Sequence, residues 1–440
     1  MRISVTASAA LGALCFRPIE GFTAPGSRYW FHVARANGAR SRGRRLLCTE
    51  MRAPEDAADS AEMVSRRDML KKARTAALCA GAGGGASVLQ GGARLAPAQA
   101  ALAAPDDLPA EAYTTIGGNV KTCRILNGMW QLSGAHGFRP EEKSALQAMA
   151  KLVDKGYTTF DLADHYGPAE DFVGAFESEQ RTQAARGQFF TKWVPRPTKM
   201  YRSVVNDAVG QSLARMKTGS LDLLQFHWWA YDMPYYMDAL NYLQEAREKG
   251  KMKQLGLTNF DTRHLEEITD KGVTIASNQV QYSILDQRPG KQMARLCEER
   301  GVKLLCYGTV LGGLLSEKWL GHAAPSKADF TTVSERKYYN MIRQWGGWPL
   351  FQELLSAVNE VAKKHDVSIP NVAVRWVLDR PAVAGAIVGT RLGLTDHAED
   401  NRRVFGLRLD DEDRMRIAAV TEQSRDLMAV IGDVGDEYRG

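Results

Sequence analysis

Cysteine is scarce in this 440-residue sequence, and no run of 18 or more residues is both uncharged and strongly apolar. The first shortage excludes a disulfide framework or a cysteine-ligated metal cluster. Cys15, Cys48 and Cys79 lie in the first hundred residues, while Cys123, Cys297 and Cys306 are scattered through the rest and read as buried, unpaired thiols. The second excludes a bundle of membrane-spanning helices. An excess of charge of one sign is also missing from most of the chain. The 57 Lys+Arg and 51 Asp+Glu give a net of +6, which taken alone invites a nucleic-acid reading. Residues 1–100 hold 15 of the basic and 7 of the acidic residues, so residues 101–440 carry a net of −2. Nothing in that larger part recommends DNA or RNA as a partner. With 44% hydrophobic and 25% charged residues, the composition is that of a globular protein rather than a disordered or fibrous one.

The basic surplus has its own pattern. Residues 1–50 contain eight Arg, no Lys, and only Glu20 and Glu50 as acids, which fits organelle import better than a packed domain. The segment 1–15 starts with Arg2 and becomes apolar, as a secretory signal does. Gly21-Phe22-Thr23-Ala24-Pro25 then resembles the Phe-containing junction of plastid proteins in algae with complex plastids. Further on, Ser65-Arg66-Arg67-Asp68-Met69-Leu70-Lys71 resembles a twin-arginine signal. A weakly apolar, Gly-rich stretch over 75–92 and an Ala98-Gln99-Ala100 cleavage pattern follow it in the required order. Residues 1–100 are therefore expected to be a targeting leader, cleaved or disordered. The order of its parts points to a plastid and then the thylakoid lumen. Residues 101–112 read as a short linker.

From residue 113 onward, short β-rich runs alternate with amphipathic helical stretches. Strands are expected at 124–127, 158–162, 188–192, 221–227, 254–258, 277–281, 302–307 and 385–388, several of them nearly continuous apolar runs, as a parallel sheet buried on both faces requires. Helices over 141–155, 236–249 and 288–300 run into Gly156, Gly250 and Gly301, the usual left-handed stop. Eight β/α repeats over about 300 residues predict a closed (β/α)8 TIM barrel, an α/β fold whose chemistry sits at the C-terminal strand ends. The competing open doubly wound sheet lacks a G-x-G-x-x-G after the first strand. Between strands seven and eight, residues 316–348 show little periodicity and read as a long functional loop, a lid. Helices are expected over 350–364, 370–379, 395–405 and 410–424, and a tail over 425–440.

Four ionisable residues stand at the ends of the second, third and fourth barrel strands. They occur in Phe160-Asp161-Leu162-Ala163-Asp164-His165-Tyr166-Gly167, in Thr191-Lys192-Trp193 and in Gln225-Phe226-His227-Trp228. In a barrel, Asp161, Tyr166, Lys192 and His227 converge on one mouth. A phenol is a weak acid near neutral pH, and a neighbouring ammonium favours its phenolate. A carboxylate keeps the ammonium charged and oriented, and an imidazole positions a carbonyl oxygen. Such a set donates a proton to a carbonyl oxygen as hydride reaches the carbon. Trp130, Trp193, Trp228 and Trp229 follow or flank strand ends and are expected to line an aromatic pocket.

These blocks, in this order and with spacings of 5, 26 and 35 residues, resemble the aldo-keto reductase superfamily over about residues 113–424. The resemblance implies Tyr166 as general acid, tuned by Lys192, with Asp161 holding the lysine and His227 orienting substrate. It implies a nicotinamide carboxamide held by Thr258, Asn259 and Gln279, with Tyr307 stacked on the ring. Gly308, Val310 and Gly313, in the turn 308–313, would follow the pyrophosphate. Gly389, Arg391 and Asn401 would hold the adenosine phosphate, and Arg391 suits a 2′-phosphate, which favours NADPH over NADH. The family often has a Lys-Ser pair where this chain has Gly389-Thr390-Arg391, and an Arg where it has His397. No metal is expected at Asp161, His165 and His227, since the resemblance gives two of the three a complete non-metal role. The implied function is an NADPH-dependent reductase interconverting the carbonyl of a small molecule (aldehyde, ketone or sugar) and an alcohol. The alternative is a nicotinamide-binding sensor or regulatory subunit with little turnover, as channel-associated members resemble.

Overall fold

The computed structural model describes residues 108–137 and 139–439. The leader expected over 1–100, and the linker up to residue 107, lie outside the described residues. A short antiparallel hairpin comes first, β1 (Tyr113–Ile116) and β2 (Val120–Cys123). Eight parallel strands then close into a barrel: β3 (Ile125–Gly128), β4 (Thr159–Asp161), β5 (Gln188–Trp193), β6 (Leu221–His227), β7 (Met252–Thr258), β8 (Ser277–Gln281), β9 (Lys303–Tyr307) and β10 (Val383–Gly389), which returns to pair with β3. Helices lie between them, so the fold is the expected (β/α)8 barrel. Gly156, Gly250 and Gly301 take positive φ at the helix ends where glycine stops were read. Among the described residues, no helix is long and apolar enough to cross a membrane.

The barrel interior is layered. Leu126, Phe190, Leu223, Ala276, Leu305 and Ala384 form one apolar cluster with Ile116 and Val120 of the hairpin, which plugs the N-terminal end. Gln254 on β7 donates to Gly117 O and to Asn119 Oδ1, both at 2.8 Å, and ties the plug to the wall. Above this dry floor the inward positions turn polar: Asp161, Lys192, Gln225 and Gln279 are all buried. The hairpin was not among the expected strands, although Gly117-Gly118-Asn119 between two short β-rich runs is a hairpin signal.

The segment between β9 and β10 differs most from expectation. Residues 316–348 were read as an aperiodic loop, but a helix spans Val333–Trp345 and another runs over Gly347–Lys364. The first is started by a capping box in which Thr332 and Glu335 satisfy each other's backbone N–H groups. It buries Tyr338, Met341, Ile342 and Trp345, an apolar stripe at helical spacing. Flanking Gly, Pro and Lys residues obscured that stripe in the sequence. The tail of 425–440 is likewise structured, with a helix at Leu427–Ile431 and a 3-10 turn at Asp436–Tyr438.

The outer helices press close to one another, Ala169–Glu179 against the end of Arg202–Arg215. Gly174, in the helix Ala169–Glu179, has no room for a side chain, because a Cβ there would overlap the backbone carbonyl oxygen of Arg215. Overpacking of this kind costs about 1–3 kcal/mol. Gly174→Ala is therefore expected to lower Tm by about 2–6 °C in a thermal unfolding scan. An unchanged Tm would show that the two helices separate freely.

Candidate active site

Strand pairing places the four ionisable residues. β4 and β5 run side by side, and Lys192 on β5 reaches back to β4, where its Nζ donates to Asp161 Oδ2 at 2.6 Å and to Leu162 O at 2.9 Å. Next in the barrel, β6 carries Gln225 in register with Lys192, and His227 two residues further up on the same face. Tyr166 lies in the loop after β4. Asp164 N continues the ladder to Lys192 O at 3.0 Å, and the Asp164 carboxylate accepts from Val194 N at 3.2 Å, which ties the loop to the end of β5. Gly167 then turns at φ 58°, where a Cβ would lie 2.5 Å from Leu132 O. Only glycine lets the tyrosine loop press against the loop after β3. Lys192 Nζ sits 4.9 Å from the Tyr166 ring centroid, so the structure does bring aspartate, lysine and tyrosine together.

Burial dominates the electrostatics. It pushes the Lys192 ammonium below its usual range, and the Asp161 carboxylate opposes that shift. Tyr166 is pushed well up, first by burial and then by the nearby Asp161 charge. A neighbouring ammonium by itself would lower the phenol. Tyr166 is half-buried among its neighbours, desolvation there outweighs the ammonium, and the ring is held as a neutral O–H. His227 is held down to about 3 by burial, with the positive charges of His165, Arg439 and Lys192 adding to it. Its Nε2 is buried and has no hydrogen-bond partner. A neutral imidazole with an unused nitrogen and a protonated phenol share this mouth.

The residues proposed for the cofactor divide into two groups. Around the ring end, Thr258 Oγ1 is buried without a partner, while Asn259, at φ 56°, accepts from Tyr307 OH through Oδ1 at 2.9 Å. Gln279 donates to Asp161 Oδ1 at 2.7 Å and to Gln225 Oε1 at 2.8 Å, so both its amide hydrogens are used inside the barrel. Its carbonyl oxygen is what remains for a carboxamide. Gly308, Val310 and Gly313 lie in the turn after β9, which continues into a 3-10 turn at Leu311–Gly313. Thr309 Oγ1 in that turn is also buried and unpartnered. Gly389 ends β10, Arg391 follows, and Asn401 sits in the helix Ala398–Gly406, beside a surface groove of about 550 Å³ lined by Glu399, Asp400, Arg402, Arg403 and Gly406. Unpartnered hydroxyls at the ring end and a glycine-bearing turn beyond β9 fit a nicotinamide dinucleotide laid from Thr258 towards Arg391.

Two of the four tryptophans expected to line the pocket are not there. Trp193 and Trp228 belong to the outer core, packed on either side of Phe226 at ring separations of 5.5 and 6.0 Å. The reason is the two-residue period of a strand: if Lys192 and His227 point into the barrel, their next neighbours point out. Trp130 does stand at the mouth, 4.9 Å from the Tyr166 ring, and Trp229 lies 5.8 Å from the His227 ring.

The sequence reading missed the residues that cover the mouth. His136, in the loop after β3, bonds Ser334 Oγ at 3.0 Å and so joins that loop to the helix Val333–Trp345. From the same helix Lys337 donates to Tyr438 OH, and Tyr438 also bonds Tyr307 OH at 3.1 Å. Arg439 donates to Asn259 O and to Tyr231 OH. The buried Arg288 anchors this tail. It forms a bidentate pair with Asp286 and reaches Gly432 O, Asp433 O and the Glu437 carboxylate. No motif announces these contacts, which apart from the Arg288–Asp286 pair join residues more than a hundred positions apart.

The fold and this mouth together define a (β/α)8 oxidoreductase. Residues 124–422 match the Aldo/keto reductase family model, and the chain belongs to that family. It is an NAD(P)H-dependent oxidoreductase acting on carbonyl and alcohol groups. Among its relatives, the Aldo-keto reductase YhdN of Bacillus subtilis is 25% identical over 341 residues, 74% of this chain and 97% of its own length. The chloroplastic pyridoxal reductase of Arabidopsis thaliana is 25% identical over 296 residues, 63% of this chain and 76% of its own. The solved glycerol dehydrogenase of Gluconobacter oxydans superposes with a TM-score of 0.59 at 22% identity, over 74% of this chain and 98% of its own, and shares the fold.

Two outcomes follow from the buried charges. Arg288→Met leaves the Asp286 and Glu437 carboxylates buried without their cation, at a cost of about 3–5 kcal/mol. Urea unfolding is expected to show that loss, with limited proteolysis cutting first near the tail. A cost below 1 kcal/mol would refute the anchor. For His227, the folded state resists protonation down to about pH 3, whereas the unfolded chain protonates near the ordinary histidine value. Its contribution to stability is therefore complete above that ordinary value and declines as pH falls from there towards 3. His227→Gln is expected to flatten the acid decline in stability between pH 6.5 and 4, measured by unfolding at each pH.

Proposed function

We propose that this enzyme reduces the carbonyl of a small aldehyde, ketone or sugar with NADPH, using Tyr166 as proton donor. The observation that carries the reading is the buried Asp161–Lys192 pair beside a neutral Tyr166, with the unpartnered Nε2 of His227 in the same mouth. Bound NADPH supplies the hydride to the carbonyl carbon. Every other part belongs to the chain. Neutral His227 donates from Nε2 to the carbonyl oxygen and fixes its direction. Tyr166 passes its proton to that oxygen as negative charge builds there, and Lys192 stabilises the tyrosinate left behind. Asp161 keeps Lys192 charged and aimed. Trp130 and the covering tail keep water from the reacting carbon. Arg391 supports the choice of NADPH, as a guanidinium that can grip a 2′-phosphate with two parallel bonds. Delivery to a plastid and its thylakoid lumen is proposed on the sequence of residues 1–100 alone.

Tyr166→Phe removes the hydroxyl that carries the transferable proton and keeps the ring. With NADPH and a panel of aldehydes, turnover is expected to fall by about 10²–10⁴-fold while NADPH still binds, as followed by its fluorescence. Wild-type rates in the variant would sink the mechanism. Negligible steady-state turnover in the unmodified protein, with a single oxidation of bound NADPH, would favour the sensor reading instead.

A further inference from the structure

We propose that Gln225 is a positioning residue for the reaction, holding Asp161 so that one carboxylate oxygen always faces Lys192; this rests on the reading of Tyr166 as proton donor. Gln225 lies at mid-barrel on β6, fully buried, two residues before His227 and in register with Lys192. Its Nε2 donates to Asp161 Oδ1 at 3.1 Å, and Gln279 Nε2 donates to the same oxygen at 2.7 Å. Lys192 takes the other oxygen, Oδ2. The carboxylate is thus divided: two neutral amides on one oxygen and one cation on the other.

The division matters because an aspartate carboxylate has two equivalent oxygens and turns freely about its last bond. Pinning Oδ1 with two donors removes that freedom. The two amides also fix each other. Gln279 gives one hydrogen to Asp161 and the other to Gln225 Oε1 at 2.8 Å, so Gln225 must present Nε2, not oxygen, to the carboxylate. A flipped Gln225 would set its carbonyl oxygen against Asp161 and its NH2 against that of Gln279. The belt Gln279, Gln225, Asp161, Lys192 therefore has one low-energy arrangement, and it ends 4.9 Å from the Tyr166 ring. The titratable and charged groups facing this layer are Asp161 on β4, Lys192 on β5, His227 higher on β6, Tyr166, Asp164 and His165 in the loop after β4, and Tyr438 and Arg439 from the tail. Thr258 on β7 and Gln279 on β8 add no charge to it.

Two near-isosteric variants test this in the full chain. Gln225→Met removes the donor and keeps the volume, and it is expected to lower kcat about 10–100-fold, the equivalent of one lost hydrogen bond to a charged group. The Kd for NADPH should stay within twofold. Gln225→Glu puts in a carboxyl that can donate to Asp161 Oδ1 only when protonated and repels it when ionised. Its kcat relative to wild type is expected to climb at least about fivefold as pH falls from 8 to 5.5, while the Met variant stays parallel to wild type. The opposite result is wild-type kcat in both variants, or an equal loss in both with parallel pH profiles, and either overturns the role. Should Gln225→Met fail to fold, the pH slope of Gln225→Glu decides alone. Should Gln225→Glu fail as well, Gln279→Glu, which reaches the same oxygen, must show that slope or the division of the carboxylate is wrong. If Tyr166→Phe keeps full turnover, the donor reading fails whatever Gln225 does.

Discussion

Everything at the mouth depends on one buried ion pair, Lys192 with Asp161, both almost wholly removed from water. Such a pair is costly to bury and survives only with good geometry and further partners for the remaining lone pairs and protons. The barrel provides both. Adjacent strands set the 2.6 Å contact, Leu162 O takes a second lysine proton, and the amides of Gln225 and Gln279 complete the aspartate. Beneath the pair, the hairpin plug and the Phe190–Leu223 layer keep the floor dry. The same dryness raises Tyr166, lowers Lys192 and holds His227 neutral. One environment thereby leaves a phenol able to give a proton and an imidazole able to point at an oxygen.

A site this dry needs a cover, and the chain builds one from two distant pieces. The helix Val333–Trp345 contributes Ser334 and Lys337, and the segment after Ile431 contributes Tyr438 and Arg439. Arg288, charged and buried, fastens the second piece through the Glu437 carboxylate and two backbone carbonyls. The cover meets Tyr307 and Asn259, the residues proposed for the nicotinamide end. The tail and the proposed nicotinamide end therefore share one small space.

Much of this was legible in the sequence, for physical reasons that can be named. Strands buried on both faces leave apolar runs in several places, and the alternation of β-rich runs with amphipathic helices marks all eight barrel strands. Asp161, Tyr166, Lys192 and His227 were legible because strand ends put them on one rim. Trp193 and Trp228 were misplaced by attending to proximity along the chain and not to the alternation that Lys192 and His227 already imposed. Gln225 was open to the same alternation, since it shares the face of His227. The helix Val333–Trp345 could have been read from Thr332 and Glu335. The reach of Arg288 to the tail and the other tail contacts could not, because pairing over 101 residues or more leaves no local pattern. The fall in Tyr166 acidity was also beyond the sequence, because the contest between ammonium and burial is decided only by how completely the mouth closes.

The central claim is that the buried pair exists for chemistry and not for stability. Removing both charges together, in Asp161→Asn with Lys192→Met, keeps an acceptor for the two glutamine amides and leaves no lone charge behind. Buried pairs replaced in this way commonly leave stability unchanged or raise it. The account predicts a double variant that unfolds no earlier than wild type and binds NADPH, yet turns over aldehydes at least about 10²-fold more slowly. A double variant with near wild-type turnover would contradict it.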